Sequence, residues 1–508
     1  ETVSWAMDDD RQTALTKTRQ IVLQAEQSLE SKTKEMNQLL RNGIPQFRCS
    51  DPKFEEIYYY LWSLYLMYYI DVQKGWEMEN HTQTAVNNFL GIHRYDSCFQ
   101  IKVGAWTRDK ARFAYGNVLT WKHLVRNNRY RQLPNGLILL SDNKGTTWHS
   151  GSYGGELAEH VLGAWQIYEH TNDLKFLRDC YDGYFRKVFW KSFLGFSMND
   201  FEVVSVLQKM AKMTGFPDDV DHWKNLVRQD PDHIRFTFAE RWETHGHENF
   251  FAGPKDGKLH TNAFWAMRSQ CFPRHYAESM IHAWALDRTR GFYGEFFPLA
   301  MAKQSMKQFT SPDDLAFGYT PDTAYFTLDG MFKQGFPKIA SELTLNHLEN
   351  YNFHEAWGIP VAPEAYRRDL QLFGDQYSNF NAGKILLFLE GLAGLSYSVP
   401  ENIFTVQDSL PLSWDWMEVE VPVAEHPGWT SIKMERTKDL FGGMRKNISV
   451  KGSPMPVSIE VWLDQKNTSG SPSFQGAKFV QVDSNRPNSL RFSSAGTSRS
   501  CSVSIPLE

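Results

Sequence analysis

The chain has 508 residues, 42% hydrophobic and 22% charged, enough to bury a large core and a smaller one, which excludes disordered, collagen-like and low-complexity classes. The formal net charge is −5 and no Lys/Arg run exceeds two residues, so the phosphate-neutralising stripe that nucleic-acid binding needs is not expected. Apolar stretches are broken before the roughly 18 residues of a membrane span, and no span is expected.

In chain order, residues 9–41 read as one long polar helix. Leu15, Val22, Leu29, Met36 and Leu40 form a single apolar stripe that should pack on something larger. From Asp51 to about Ser396, apolar stretches of helical length recur, at 54–69, 155–170, 202–213, 273–284, 324–334, 337–350 and 382–395. They are apolar on more than one face, which suits two concentric layers of helices. Strand-like alternation is scarce before residue 400, which argues against a β/α barrel or a doubly wound sheet. After Val399-Pro400, short β-rich runs appear between Gly, Pro, Ser and Asn clusters, the pattern of an antiparallel β-sandwich. The expected organisation is an N-terminal helical segment at 1–50, a helical domain at 51–400 and a β-sandwich at 401–508.

Chemistry is sought in loops that combine carboxylates with aromatic residues, which make up 14% of the chain. The segment 91–100 holds Arg94, Tyr95 and Asp96, where Asp96 is an acid, a sugar-hydroxyl acceptor or a partner of Arg94. Trp148, His149 and Glu156 share a Gly-rich bend ahead of a helix. Asp200 is an acid or the cap of the helix that follows. His245 and His247 are separated by one Gly, with neither an HExxH pattern nor a ligand triad, so no metal is expected. Tyr319 and Asp322 lead into a buried helix. Glu355 lies between His354 and Trp357, and a carboxylate among aromatics loses hydration, which raises its pKa toward acid or base work. The alternative is a buried, paired Glu without chemistry. Asn379 belongs to a polar and aromatic loop before the last helix.

The ordered set Trp165-Gln-Ile-Tyr-Glu169, Thr171-Asn-Asp173, Phe176-Leu177, Gly291-Phe-Tyr-Gly294, Tyr319-Thr-Pro-Asp322, Phe353-His-Glu355, Asn379-Phe380 and Leu387-Phe-Leu-Glu-Gly-Leu392 resembles the glycoside hydrolases with (α/α)6 barrels. The nearest likeness is to the trehalase-like group that includes the processing α-glucosidases of family 63. Leu410-Pro-Leu-Ser-Trp-Asp-Trp416 is similar to the stretch with which many such enzymes pass into a C-terminal β-domain. The resemblance covers roughly residues 50–420. It implies a mainly α fold, an (α/α)6 toroid barrel followed by an antiparallel β-sandwich.

It also implies that Glu355 is the general base and that Tyr95 and Asp96 line the sugar pocket. The family's Ser-Gly-x-Asp acid motif has no counterpart between Tyr181 and Glu202, so Asp200, Asp96 or Glu156 takes the acid role, or the standard chemistry is absent. Inversion would place acid and base about 6.5–9.5 Å apart. Trp357, Trp148, Tyr95 and Trp106 would be sugar platforms, and Arg94, Glu156, Tyr319, Asp322 and Asn379 further substrate contacts. A carbohydrate is the expected partner and no cofactor is required. The alternatives are an isomerase, epimerase or lyase on the same scaffold, or a secreted carbohydrate-binding protein derived from a glycosidase. Sequons at Asn80, Asn447 and Asn467, together with a start at Glu1, favour a glycosylated product of the secretory pathway.

Overall fold

The structure, a computed structural model, describes residues 11–71, 79–83, 97–127, 154–189, 200–227, 250, 258–269, 272–306, 318–350, 362–374, 379–438, 443–462, 473–483, 486–494 and 500–507. The helix expected over 9–41 is two helices, α1 (Arg11–Leu23) and α2 (Ala25–Asn42), because Gln24 leaves helical geometry at φ −117° and ψ 24°. The stripe divides with it. Met36, Leu39 and Leu40 pack on the core, while Leu15, Val22 and Leu29 stay exposed.

Strand β1 (Gln46–Cys49) then leads to α3 (Pro52–Met67). Asp51 starts α3 by accepting the Lys53 N–H, and Pro52 occupies the first helical position, where its missing donor costs nothing. A small hairpin, β2 (Tyr69–Ile70) with β3 (His81–Thr82), precedes α4 (Ser97–Trp106). A π-helical turn leads into α5 (Gly116–Asn127), and α6 (Gly154–Thr171) follows. Then α7 (Leu174–Cys180) continues through another π turn into α8 (Arg186–Phe189). Next come α9 (Asp200–Thr214), α10 (Pro217–Val227) and a 3-10 segment, Thr261–Arg268. The helical part closes with α11 (Arg274–Met280), α12 (Lys303–Met306), α13 (Pro321–Lys333), α14 (Pro337–Leu348) and α15 (Ala382–Leu386), the last extended by a π turn to Leu392. A hairpin of β4 (Ala365–Tyr366) and β5 (Leu372–Phe373) lies between α14 and α15. None of the helices described is long and apolar enough to cross a membrane.

Residue pairings give the helix directions. Ile101 of α4 lies against Gly163 of α6, and Ala105 O meets His170 Nδ1 at 2.9 Å. Phe99 lies against Gly383 of α15, and Trp106 reaches Glu390. Tyr325 of α13 touches Gly383, and Phe332 touches Gly391. Trp265 packs on Phe326, and Arg268 bonds Asp329. Sequence numbers rise together in every pair, so α4, α6, the 3-10 segment, α13 and α15 run parallel. In α3 the order reverses: Tyr65 bonds Gln100 O, whereas Tyr58 stacks on Phe388. It reverses in α14 as well, where Asn350 meets Lys384 and Ser341 meets Ser409, itself bonded to Gly391. The antiparallel α3 and α14 thus pack against the parallel set. Gly163 and Gly383 permit the close inner approach, since a Cβ at Gly163 would stand 2.6 Å from Ile101 Cγ2.

The strands from β6 (Leu395–Ser398) onward build two sheets. One is ordered β1-β8-β9-β10-β15-β12, with β8 Trp416–Val421, β9 Thr430–Lys438, β10 Met444–Lys451, β12 Ser473–Gln475 and β15 Ser500–Leu507. The other is β13-β14-β11-β7-β6, with β7 Ile403–Gln407, β11 Val457–Trp462, β13 Ala477–Asp483 and β14 Arg486–Ser494. Alternation with period two buries Met417, Val419 and Val421 on β8 and Ile448 and Val450 on β10. The pairing departs from a fully antiparallel sandwich at one place, since β7 and β11 pair in parallel. β1 joins the first sheet by pairing with β8, and its Phe47 stacks on Tyr58 and Phe388, each at 5.1 Å. That contact fastens the β-unit to the helices.

Candidate functional site

Because α4, α6, α13 and α15 run parallel, the segments that feed their first turns arrive at one end. Asp96 directly precedes α4, Glu156 lies in the first turn of α6, and Tyr319 and Asp322 flank the start of α13. Asn379 opens the 3-10 turn that leads into α15. Asp200 is the first residue of α9. Arg94, Tyr95, Asp96, Trp148, His245, His247, Glu355 and Trp357 lie outside the described residues. The two stems of the segment carrying Glu355 are described. Asn350 Oδ1 accepts from Lys384 Nζ at 2.7 Å, and Asn381 Nδ2 donates to Ala362 O and Pro363 O at 2.8 and 3.0 Å. Both stems therefore stand on the first turns of α15.

Asp322 sits in the first turn of α13, where the helix dipole favours a carboxylate. Tyr319 is a strut and not an open wall. Its side chain is buried, its hydroxyl accepts the Glu295 N–H at 2.9 Å, and its backbone exchanges two 2.9 Å bonds with Tyr366. Gly294 lies beneath it, where a Cβ would come within 2.1 Å of the hydroxyl oxygen. Burial raises the Tyr319 phenol pKa, so the group stays protonated.

Trp106 is the last residue of α4. It is fully buried, its Nε1 donates to Glu390 Oε1 at 3.0 Å, and its ring meets His170 and Tyr397 edge-on. It also lines a cavity at the C-terminal end of the helices. Two sequons are also engaged in structure. Asn80 is half-buried beside a fully buried Thr82, and Asn447 Nδ2, in mid-strand, donates to Thr437 Oγ1 at 2.8 Å. A glycan on Asn447 would replace that bond. Asn467 lies outside the described residues.

Between the two ends the inner helices enclose a chain of charges. Arg268, 1% exposed, bonds Glu159 through two nitrogens at 2.5 and 3.0 Å and Asp329 through Nε at 2.9 Å. Lys333 joins Asp329 to Glu202 at 3.2 and 3.3 Å. Lys102 donates to Tyr325 Oη at 2.5 Å and stands 3.6 Å from Glu390, whose other oxygen also accepts from Gln166 at 2.6 Å. Burial alone would raise the Asp329 pKa, but Lys333, Arg268 and Lys102 outweigh it and hold the carboxyl well below the usual range. Sequence reading did not single out Lys102, Arg268 or Asp329. The available signal was a charged residue flanked by apolar ones, as with Lys102 in α4, which has to be paired when buried.

At the C-terminal end, a cavity of about 610 Å³ separates the helices from the five-stranded sheet, and Lys102, Glu202, Asp329, Lys333 and Glu390 of this chain of charges line it. Trp165, Glu169, Lys209, Glu401, Thr405 and Glu460 are among its lining residues. Burial, then the neighbouring Glu401, push the Glu169 carboxyl up to about 7. The paired charges and this cavity thus form one polar region toward the C-terminal end of the parallel helices, away from their first turns.

No protein-family model matches the chain, and no curated protein matches its sequence. Among solved structures it is similar to a sialidase, with TM-score 0.60 and 15% identity, over 82% of this chain and 41% of that one. It is similar to the α-L-rhamnosidase from Dictyoglumus thermophilum, with TM-score 0.61 and 11% identity, over 92% of this chain and 50% of that one. For the Streptomyces avermitilis α-L-rhamnosidase complexed with L-rhamnose the values are 0.56 and 12%, over 91% and 42%. The chain spans half or less of the length of these structures. The likeness is one of fold, and the fold is that of the (α/α)6-barrel glycoside hydrolases.

Proposed function

We propose that the protein is a carbohydrate-active enzyme, a glycoside hydrolase whose helical layers close into an (α/α)6 barrel with its active site where the inner helices begin. The observation that supports this reading is the parallel direction of α4, α6, α13 and α15, whose starts, with Glu156, Asp322 and Asn379, share one end. The fold likeness to α-L-rhamnosidases supports a sugar substrate. Glu355 draws a proton from water while Asp96, Asp200 or Glu156 protonates the departing oxygen, giving single displacement with inversion. Tyr95, Trp148 and Trp357 supply flat walls for the sugar, and Arg94, Asp322 and Asn379 supply polar contacts. The bond cleaved is an α-glycoside, α-glucoside-like by sequence resemblance.

The test is hydrolysis of p-nitrophenyl α-D-glucopyranoside and p-nitrophenyl α-L-rhamnopyranoside, with the first-formed anomer read by proton NMR. Inversion is expected, and a retained anomer removes the single-displacement mechanism. Glu355→Gln should lower kcat by about 10²–10⁴-fold at unchanged Tm. An unaffected rate would remove Glu355 from the mechanism. Binding across a glycan panel without release of sugar would point instead to a carbohydrate-binding protein.

A further inference from the structure

The five-stranded sheet has two unlike faces. Along β7, Phe404 and Val406 are fully buried in the core of the sandwich, while Ile403, Thr405 and Gln407 line the cavity of about 610 Å³ that separates this sheet from the helices. The register carries the polar face across the sheet. Ser396 lies opposite Thr405, Gln407 opposite Glu460, and Glu460 opposite Arg491, and all five line the cavity. Facing them, α6 presents Trp165, Gln166 and Glu169, and α9 presents Glu202, Ser205 and Lys209, each set at helical spacing. Lys209, Ser396, Glu401 and Arg491 are exposed, so the cavity opens to solvent on their side.

A joint that only fastened two units would be apolar and closed, since packed interiors leave few voids larger than a water molecule. The helices and the β-unit meet in that way elsewhere, where Phe47 packs on Tyr58, Phe388 and Trp414. At the cavity, by contrast, Gln166 Oε1 and Gln407 Nε2 are buried and have no hydrogen-bond partner among the described residues. An amide atom left buried and unpaired opposes folding, and a bound partner offsets that penalty.

The lining also selects a class of ligand. Deep in the cavity Lys102 is paired with Glu390, and Lys333 with Asp329 and Glu202. Toward the sheet and the rim, Lys209 and Arg491 share the lining with Glu169, Glu401 and Glu460. An anion would meet the carboxylates and a cation the ammonium and guanidinium groups, whereas a hydroxyl donates to the first and accepts from the second. The Glu169 carboxyl, raised to about 7 by burial and by Glu401, adds a group that both donates and accepts near neutral pH. Trp165, half-buried and packed on Tyr168 at 5.3 Å, supplies a flat apolar wall of the kind that the C–H face of a sugar ring covers. The volume falls within the roughly 300–1,000 Å³ of small-molecule sites.

We propose that the cavity between α6, α9 and the polar face of the five-stranded sheet is a binding site for a neutral saccharide, separate from the first turns of α4, α6, α13 and α15. The 18 residues of α6 span about 27 Å, and Trp165 to Glu169 lie in its second half. A ligand held there bridges the β-unit to the helices. The site stands on its own geometry, whatever reaction takes place at the helix starts.

The experiment uses the full chain with D-glucose, L-rhamnose and cellobiose, none of which carries the α-glycoside assigned to the reaction. It reads hydrogen exchange by mass spectrometry and affinity by isothermal titration calorimetry. At about ten times Kd, exchange in peptides spanning 162–170 and 395–407 should slow about tenfold, because a ligand that binds the closed cavity and not the opened one adds RT ln(1 + [L]/Kd) to local opening. Arg491→Ala, on the exposed rim, should weaken binding about tenfold at unchanged Tm, and Trp165→Ala by as much or more. No slowing at those peptides with any of the three sugars up to about 10 mM, where a millimolar site is mostly filled, overturns the site. Slowing confined to other peptides overturns it as well, as does affinity in both variants equal to that of the natural chain. Protection of these peptides by spermidine or citrate, where the sugars give none, overturns the assignment of a neutral ligand.

Discussion

The two ends of the inner helices are built on different principles. At the N-terminal end, Tyr319 accepts a backbone N–H, Asn381 and Tyr366 donate to backbone carbonyls, and Lys384 bonds the Asn350 side chain. At the C-terminal end, side chains bond one another: Trp106 and Gln166 to Glu390, Lys333 to Glu202 and Asp329. The first arrangement fixes segments and leaves their own side chains for other work. The second satisfies its groups internally. A candidate catalytic end is therefore recognised here less by its carboxylates than by scaffolding directed at main chain.

The sharpest way to break this contrast is to remove charge from the region between the ends. Arg268→Met leaves Glu159 and Asp329 buried without their shared partner, and should cost about 3–5 kcal/mol in denaturant unfolding. A loss below about 1 kcal/mol would mean that the enclosed charges are not the tightly paired group described. Trp106→Phe is the next largest. It leaves one acceptor of Glu390 without its indole donor and should cost about 1–3 kcal/mol, with kcat on any glycoside unchanged on the proposed placement of the active site at the helix starts. A fall in kcat without loss of stability would return Trp106 to the sugar pocket.

The smallest effect concerns pH at the C-terminal cavity. The Glu169 pKa is raised in the fold from its usual 4.5 to about 7, so the folded chain binds a proton that the unfolded chain releases between those values. The stability this confers is full below pH 4.5 and is lost as pH rises through 7. Glu169→Gln keeps the neutral form at every pH. Its Tm should exceed that of the natural chain at pH 8 and match it near pH 4, and an equal difference at both values would show that Glu169 is ionised throughout.

Much of the helical framework was legible because its signals are local. The spans 155–170 and 337–350 were read within a few residues of α6 and α14, the latter opened by Pro337 at its first position. α4 carried no such signal, since all ten of its residues are buried and no polar face marks the period. The break at Gln24 was missed because the heptad-like spacing of Leu15, Val22 and Leu29 continues across it, although those side chains end up exposed. In the β-unit, Ser-rich β14 escaped notice because few large apolar residues alternate along it. Among candidate site residues, the sequence placed Asp322 and Asn379 beside helix starts, where they are found, but could not tell that Tyr319 is packed beneath a backbone ladder.

By itself the sequence determined that helices come first and strands follow, because periodicity, capping and turn chemistry act over a few residues. Only the tertiary structure decided that α4, α6, α13 and α15 run parallel, that β7 and β11 pair in parallel, and that Arg268 binds Glu159, 109 residues away. Those outcomes depend on the direction in which one helix lies against another. No local pattern encodes that direction, since a helix presents the same apolar face to a parallel and to an antiparallel neighbour.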